Sequence, residues 1–347
     1  MTAQTHPGWL YSKTFDGVFI YGNVALAIAA GLAALYFPLL APVVVFINLW
    51  ALGYHHVIGT FTRLCFDKQS HRRSILLIYA LFPAVMGLVL LLSHVIGLWV
   101  IASVYLYGQW FHYARQSWGI SRAYERNAPK SYVADRSWQT QAAFYSFPAF
   151  GILYRSWQGW DLFLGLPIKM IPVPFWLVLV AGAVSLFFFG LWLVRIYKDW
   201  KAGSLPLAYA GFMTSHFFTF FFAYTIMPTL DSGWLVANIW HNLQYLMFVW
   251  LFNNRTYRSG IDQQARFLST LSQRQNMVVY FAITLLISTF IYLGVNSIVS
   301  GIGLLSALVI IYMTINFHHY IVDAIIWRVS WIKRGQAPKM PVPPPTP

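Results

Sequence analysis

Seven of the ten histidines in this chain lie inside hydrophobic segments: His55, His56, His112, His216, His241, His318 and His319. An imidazole is costly in hydrocarbon unless it is partnered. Several imidazoles at similar depth on neighbouring helices are a means of holding a metal ion. The stretches that carry them are Gly53-Tyr-His-His-Val-Ile-Gly59, Gln109-Trp-Phe-His-Tyr-Ala-Arg-Gln116, Ile239-Trp-His-Asn-Leu-Gln-Tyr245 and Asn316-Phe-His-His-Tyr-Ile-Val-Asp323. Asp323 is the acidic residue placed inside a hydrophobic segment, one helical turn beyond His319 and five residues beyond His318. It is expected to accept from an imidazole N–H and so fix the tautomer of a ligating histidine, or to ligate directly. Gln116, Asn242, Gln244, Tyr245 and Asn316 add hydrogen-bonding groups close by.

All-nitrogen ligation without thiolate suits iron, copper or zinc. The single cysteine, Cys65, excludes an internal disulfide and a cysteine-rich metal site. A site of three or four histidines with an open position binds O₂ or activates water. Its apolar surroundings favour a hydrophobic substrate arriving from the bilayer among membrane lipids. Non-haem Fe(II) acting on a lipid is the first chemical reading, with copper and zinc left open.

The elements that position these residues are hydrophobic helices. The chain has 347 residues, 59% hydrophobic and 9% charged, against about 25% charged in an ordinary soluble domain. The fold class is therefore all-α, a polytopic integral membrane protein. Ten spans are expected, at about 17–36, 38–60, 74–94, 96–118, 140–156, 173–196, 205–227, 233–252, 277–299 and 303–327. The fifth is short and either spans or is re-entrant. Residues 1–334 form one transmembrane domain, and the Pro-rich tail, 335–347, is expected to be disordered. Residues 1–16 carry no basic start or cleavage site, so the first span is expected to act as its own insertion signal.

The net charge of +14 suggests nucleic acid at first sight, but its placement is topological. Basic clusters follow the even-numbered spans: Arg63, Lys68, Arg72 and Arg73; Arg122, Arg126, Lys130 and Arg136; Lys198 and Lys201; Arg255, Arg258, Arg266 and Arg274; Arg328, Lys333, Arg334 and Lys339. By the positive-inside rule both termini are cytoplasmic, in the cell's inner membrane, and the even spans run inward. Spans two, four, eight and ten hold the polar residues, and spans one, three and nine read as an apolar shell.

At 1.5 Å per residue, His55 and His56 lie about 6–8 Å from the cytoplasmic helix end, His112 about 9 Å, His318 and His319 about 12–15 Å, and His241 about 16 Å. Adjacent residues point about 100° apart, so one member of each doublet is expected to ligate. His112, His241 and His318 are the expected ligands, with His55 or His56 as a fourth and His319 in support. His216 sits on an odd span and reads as an interhelical hydrogen-bonding group. His71 and His94 read as solvated.

The four stretches, taken in order, resemble the Brp/Blh family of membrane β-carotene 15,15′-dioxygenases. Phe317 to Arg328 is similar to that family's late Pro-His element, with His318 and Asp323 in register. Trp240 to Trp250 is similar to its His-x-x-x-His element, with Tyr245 where the second histidine stands. His112 matches the His-Phe-Gly element. His55 or His56 matches the Pro-His-Gly element, without its Pro and Gly. The resemblance implies Fe(II) held by histidines and O₂-dependent cleavage of a carotenoid double bond. The membrane desaturases use His-x-x-x-His and His-x-x-His-His boxes, and neither occurs here. The alternatives from other classes are a His/Asp proton-coupled transporter, a haem-binding membrane protein and a non-catalytic assembly factor.

Overall fold

The computed structural model describes residues 8–128, 132, 137–301 and 305–327. The Pro-rich tail lies outside them, as do Lys130, Arg136, Arg328, Lys333, Arg334 and Lys339. Ten long helical stretches follow one another: α1 (Lys13–Tyr36), α2 (Ala41–Cys65), α3 (Lys68–Val95), α4 (Leu98–Arg126), α5 (Trp138–Gln158), α6 (Phe175–Lys201), α7 (Leu207–Phe221, continued by a wider turn at Phe222–Ile226), α8 (Leu230–Thr256), α9 (Met277–Gly301) and α10 (Leu305–Ile326). The strand content among the described residues is one small hairpin, Leu162–Phe163 against Leu166–Pro167.

Six of these stretches, α1, α2, α3, α6, α9 and α10, contain segments long and apolar enough to cross a membrane. The other four are helical over comparable lengths but too polar to qualify. The reason is visible in α8, where every residue from Ser232 to Asn242 is buried. A helix enclosed by protein on all sides has no need of a lipid-compatible surface, so it can carry Asn238, His241 and Asn242. By contrast, only 11% of the apolar window of α3, and 17% of those of α6 and α9, is buried. To the shell expected of spans one, three and nine, of which the α1 window is 28% buried, the structure adds α6. α7, where the seventh span is expected, is a core helix, buried at Phe212, Met213, His216, Phe217 and Phe220.

Several helix ends depart from the hydropathy boundaries. α3 begins at Lys68, six residues before the expected span, because Asp67 caps it and accepts from the amides of Gln69 (2.9 Å) and Ser70 (3.4 Å). The basic residues that follow are themselves good helix formers. α1 is anchored by Asp16, whose carboxylate accepts from the amides of Leu10, Tyr11 and Ser12 and from the Tyr124 hydroxyl at 2.7–3.0 Å. α5 ends at Gly159, in the left-handed conformation (φ +69°) that terminates helices.

The chain divides into two compact units. The first comprises Met1–His56 and Leu91–Phe248, and the second Val57–Leu90 and Val249–Pro347. The boundaries fall inside helices, so α2 contributes His55 and His56 to the first unit and Thr60 to the second.

Candidate metal centre

In the first unit, α2, α4 and α8 each bring an imidazole to one buried place. A wide turn at Asn48–Tyr54 immediately precedes the histidine doublet, and such turns rotate the residues that follow relative to a regular helix. The doublet then splits. His55 turns back on its own helix, with Nδ1 donating to the Ala51 carbonyl at 3.2 Å. His56 points inward, its ring 5.3 Å from that of His241 and edge-on to it at 80°. His112 meets the same His241 ring at 4.9 Å and 70°. A ring nitrogen of His56 and one of His112 lie no more than 4.8 Å apart. His56, His112 and His241 are exposed by 4, 7 and 1%, so water has little access to any of them. Tyr245, which stands where the resembled family has a histidine, presents its ring to His56 at 5.6 Å.

A polar chain behind these rings fixes α4 against α8. The Trp234 indole N–H (2.8 Å) and the Tyr113 hydroxyl (3.1 Å) both donate to Gln109 Oε1. Asn238 Nδ2 donates to the Tyr113 oxygen, and Asn242 Nδ2 donates to Asn238 Oδ1 at 2.7 Å. The Tyr113 ring stacks on His241 at 4.1 Å, and Gln116 Nε2 donates to the His241 carbonyl at 3.2 Å. His241 is thus held by stacking on one face and through its backbone. Tyr113 and Asn238 were not among the residues singled out from the sequence. Their signal was present, since Asn238 and Asn242 stand one turn apart around His241.

In the second unit, the α10 doublet also splits, opposite to the expected order. His318 Nε2 donates to the Leu77 carbonyl at 2.6 Å, and its ring stacks on Phe61 and meets the edge of Phe82. Asp323 serves His319 instead. The Thr60 hydroxyl donates its one proton to Asp323 Oδ1 at 3.0 Å. The 3.0 Å contact between Thr60 Oγ1 and His319 Nδ1 must then carry the imidazole's own proton. Neutral His319 is therefore held as the Nδ1–H tautomer, with the lone pair on Nε2. Its Nε2 is 3.7 Å from Asp323 Oδ2, beyond hydrogen-bonding distance. Asp323 is expected to accept from an imidazole directly, but Thr60, a residue not singled out from the sequence, stands between it and His319.

His216 belongs to neither group. Its Nε2 donates to the Phe144 carbonyl at 3.0 Å, Nδ1 accepts from Ser117 at 3.2 Å, and the ring lies flat on Phe144 at 3.6 Å. Both nitrogens are engaged in tying α7 to α4 and α5.

No protein-family model, characterised protein or solved structure matches this chain. The resemblance to the carotenoid dioxygenases rests on the four sequence elements alone.

Proposed function

We propose that this chain is an integral membrane metalloenzyme, a non-haem iron oxygenase acting on a hydrophobic lipid or carotenoid-like substrate. The observation that carries the reading is the convergence of three buried imidazoles from three helices of the first unit, His56 and His112 each set against the His241 ring. Two nitrogens bound to one ion at about 2.0–2.1 Å can stand no further apart than about 4.2 Å. The His56–His112 limit of 4.8 Å is within a small side-chain rotation of that. Nitrogen donors without thiolate suit ferrous iron, with copper and zinc as the competing metals. Bound there, iron would supply the activation of O₂. The chain's own residues would fix the imidazoles, exclude water and admit an apolar substrate.

Direct ring contact also favours non-haem chemistry. Two imidazoles ligating opposite faces of one haem would have ring centres about 6 Å apart, by the same bond lengths. The pairs here stand at 5.3 and 4.9 Å.

The topology proposed with this function has ten crossings, both termini cytoplasmic and the inner membrane as the site. It adds α4, α5, α7 and α8 to the six apolar ones.

Protein purified without chelator is expected to carry about one iron per chain by elemental analysis. His56→Ala and His112→Ala are expected to lose it, whereas His216→Ala keeps it. A wild-type protein with no stoichiometric iron, copper or zinc would overturn the proposal. An intense Soret band would replace it with haem binding.

A further inference from the structure

A second site of different chemistry lies wholly within the second unit. A cleft of about 600 Å³ opens where the start of α3 meets the loop after α8. That volume falls in the range of about 300–1,000 Å³ usual for small-molecule pockets. Lys68, Arg72 and Arg73 line it, with Asp67, Tyr257 and Asp262.

The three cations stand where a helix disfavours them. Lys68 is in the first turn of α3 and Arg72 and Arg73 in the second, at the end where the helix dipole is already positive. Lys68 and Arg72 are four residues apart, so they share a face and repel. All three are exposed. The two carboxylates in the cleft are drawn into capping. Asp67 accepts from the amides of Gln69 and Ser70 and from the Ser70 hydroxyl, and Asp262 accepts from the Gln264 amide at 2.8 Å. Tyr257, 7% exposed, forms part of the wall. Burial, and then the neighbouring Asp67 and Asp262, push its hydroxyl above the ordinary tyrosine range, so it remains protonated at neutral pH. Arg63 is directed elsewhere, over the rings of Phe252 and Trp327.

The surroundings are apolar and exposed. Ile261 (54%) and Phe267 (47%), close in sequence to Asp262, are exposed. One turn along α3, Ile75, Leu76 and Tyr79 are exposed apolar side chains. A fork of guanidinium groups beside an apolar track matches a ligand with an anionic phosphate and acyl chains.

We propose that this cleft binds the phosphate of an anionic membrane lipid, with the headgroup at Lys68, Arg72 and Arg73 and the acyl chains along α3 beyond Ile75. The proposal needs the chain to lie in a membrane but is independent of the metal.

The test is calorimetric titration of the full-length protein in detergent with dihexanoyl phosphatidylglycerol, dihexanoyl phosphatidylcholine and inorganic phosphate. Phosphatidylglycerol is expected to bind at least tenfold tighter than phosphatidylcholine. The pair Lys68→Gln and Arg72→Gln together should weaken it at least tenfold at an unchanged melting temperature. Arg258→Gln, a basic residue outside the cleft, should change it less than twofold. Equal affinity for the two lipids, or indifference to the double substitution, overturns the proposal and leaves the cations a purely topological role. Binding of inorganic phosphate without phosphatidylglycerol overturns the lipid assignment in favour of a soluble anion.

Discussion

At the scale of single residues, the buried imidazoles fall into different environments. His56 and His112 each meet the His241 ring, His216 spans two hydrogen-bonding partners, and His319 is fixed by Thr60. Substituting His216 by Leu should therefore cost about 2–3 kcal/mol, because it leaves a buried carbonyl and hydroxyl unsatisfied and removes a stacked ring. Thermal unfolding in detergent checks this, and metal content should not change. Thr60→Val should cost about 1–3 kcal/mol by removing the hydroxyl that meets both His319 Nδ1 and Asp323 Oδ1. Asp323→Asn, which keeps an acceptor at that oxygen, should cost less than Thr60→Val in the same measurement. Similar losses for the two would contradict the routing through threonine. Histidine type and depth were legible in the sequence, but the orientation within each doublet was not. Which of two adjacent side chains faces inward depends on helix phase, and the wide turn at Asn48–Tyr54 shifts that phase by an amount that hydrophobic periodicity does not reveal.

At the scale of elements, close approach and capping set the helix arrangement of the first unit. A Cβ on Gly233 of α8 would overlap the Ala223 carbonyl oxygen, and backbone cannot move aside as a side chain can. Gly233→Ala should destabilise by about 1–3 kcal/mol, whereas Gly190→Ala, which meets nothing within 4 Å, should be neutral or better in the same unfolding assay. Arg155 is fully buried on α5 and donates to the Ala223 (3.1 Å) and Met227 (2.6 Å) carbonyls, which end the α7 stretch, and to Gln158 (2.8 Å). It acts there as a positively charged cap on a helix C-terminus. Arg155→Met should cost about 2–4 kcal/mol by the same assay. The existence of the ten helical stretches was readable from hydrophobic run length. Their ends were not, because Asp67 starts a helix among charged residues that hydropathy assigns to a loop. The burial of α7 was hidden as well, since Phe-rich composition reads the same whether it faces lipid or protein.

At the scale of the whole molecule, six apolar helices mark a membrane protein, and burial sets the polar α8 apart from the most apolar of them. α8 is buried along eleven consecutive residues, Ser232 to Asn242, while α3, α6 and α9 are largely exposed. The proposed topology predicts that reporters fused to the two ends of the chain read out on the same, cytoplasmic, face. Reporters on opposite faces would require an odd number of crossings and remove the positive-inside argument. The central claim, a metal held by imidazoles, is tested most directly by X-ray absorption at the iron edge on protein purified without chelator. The account predicts nitrogen scatterers at about 2.0–2.2 Å with the outer-shell pattern of imidazole, lost in the His56→Ala and His112→Ala variants. Absence of bound iron, or an iron spectrum unchanged by both substitutions, would contradict it.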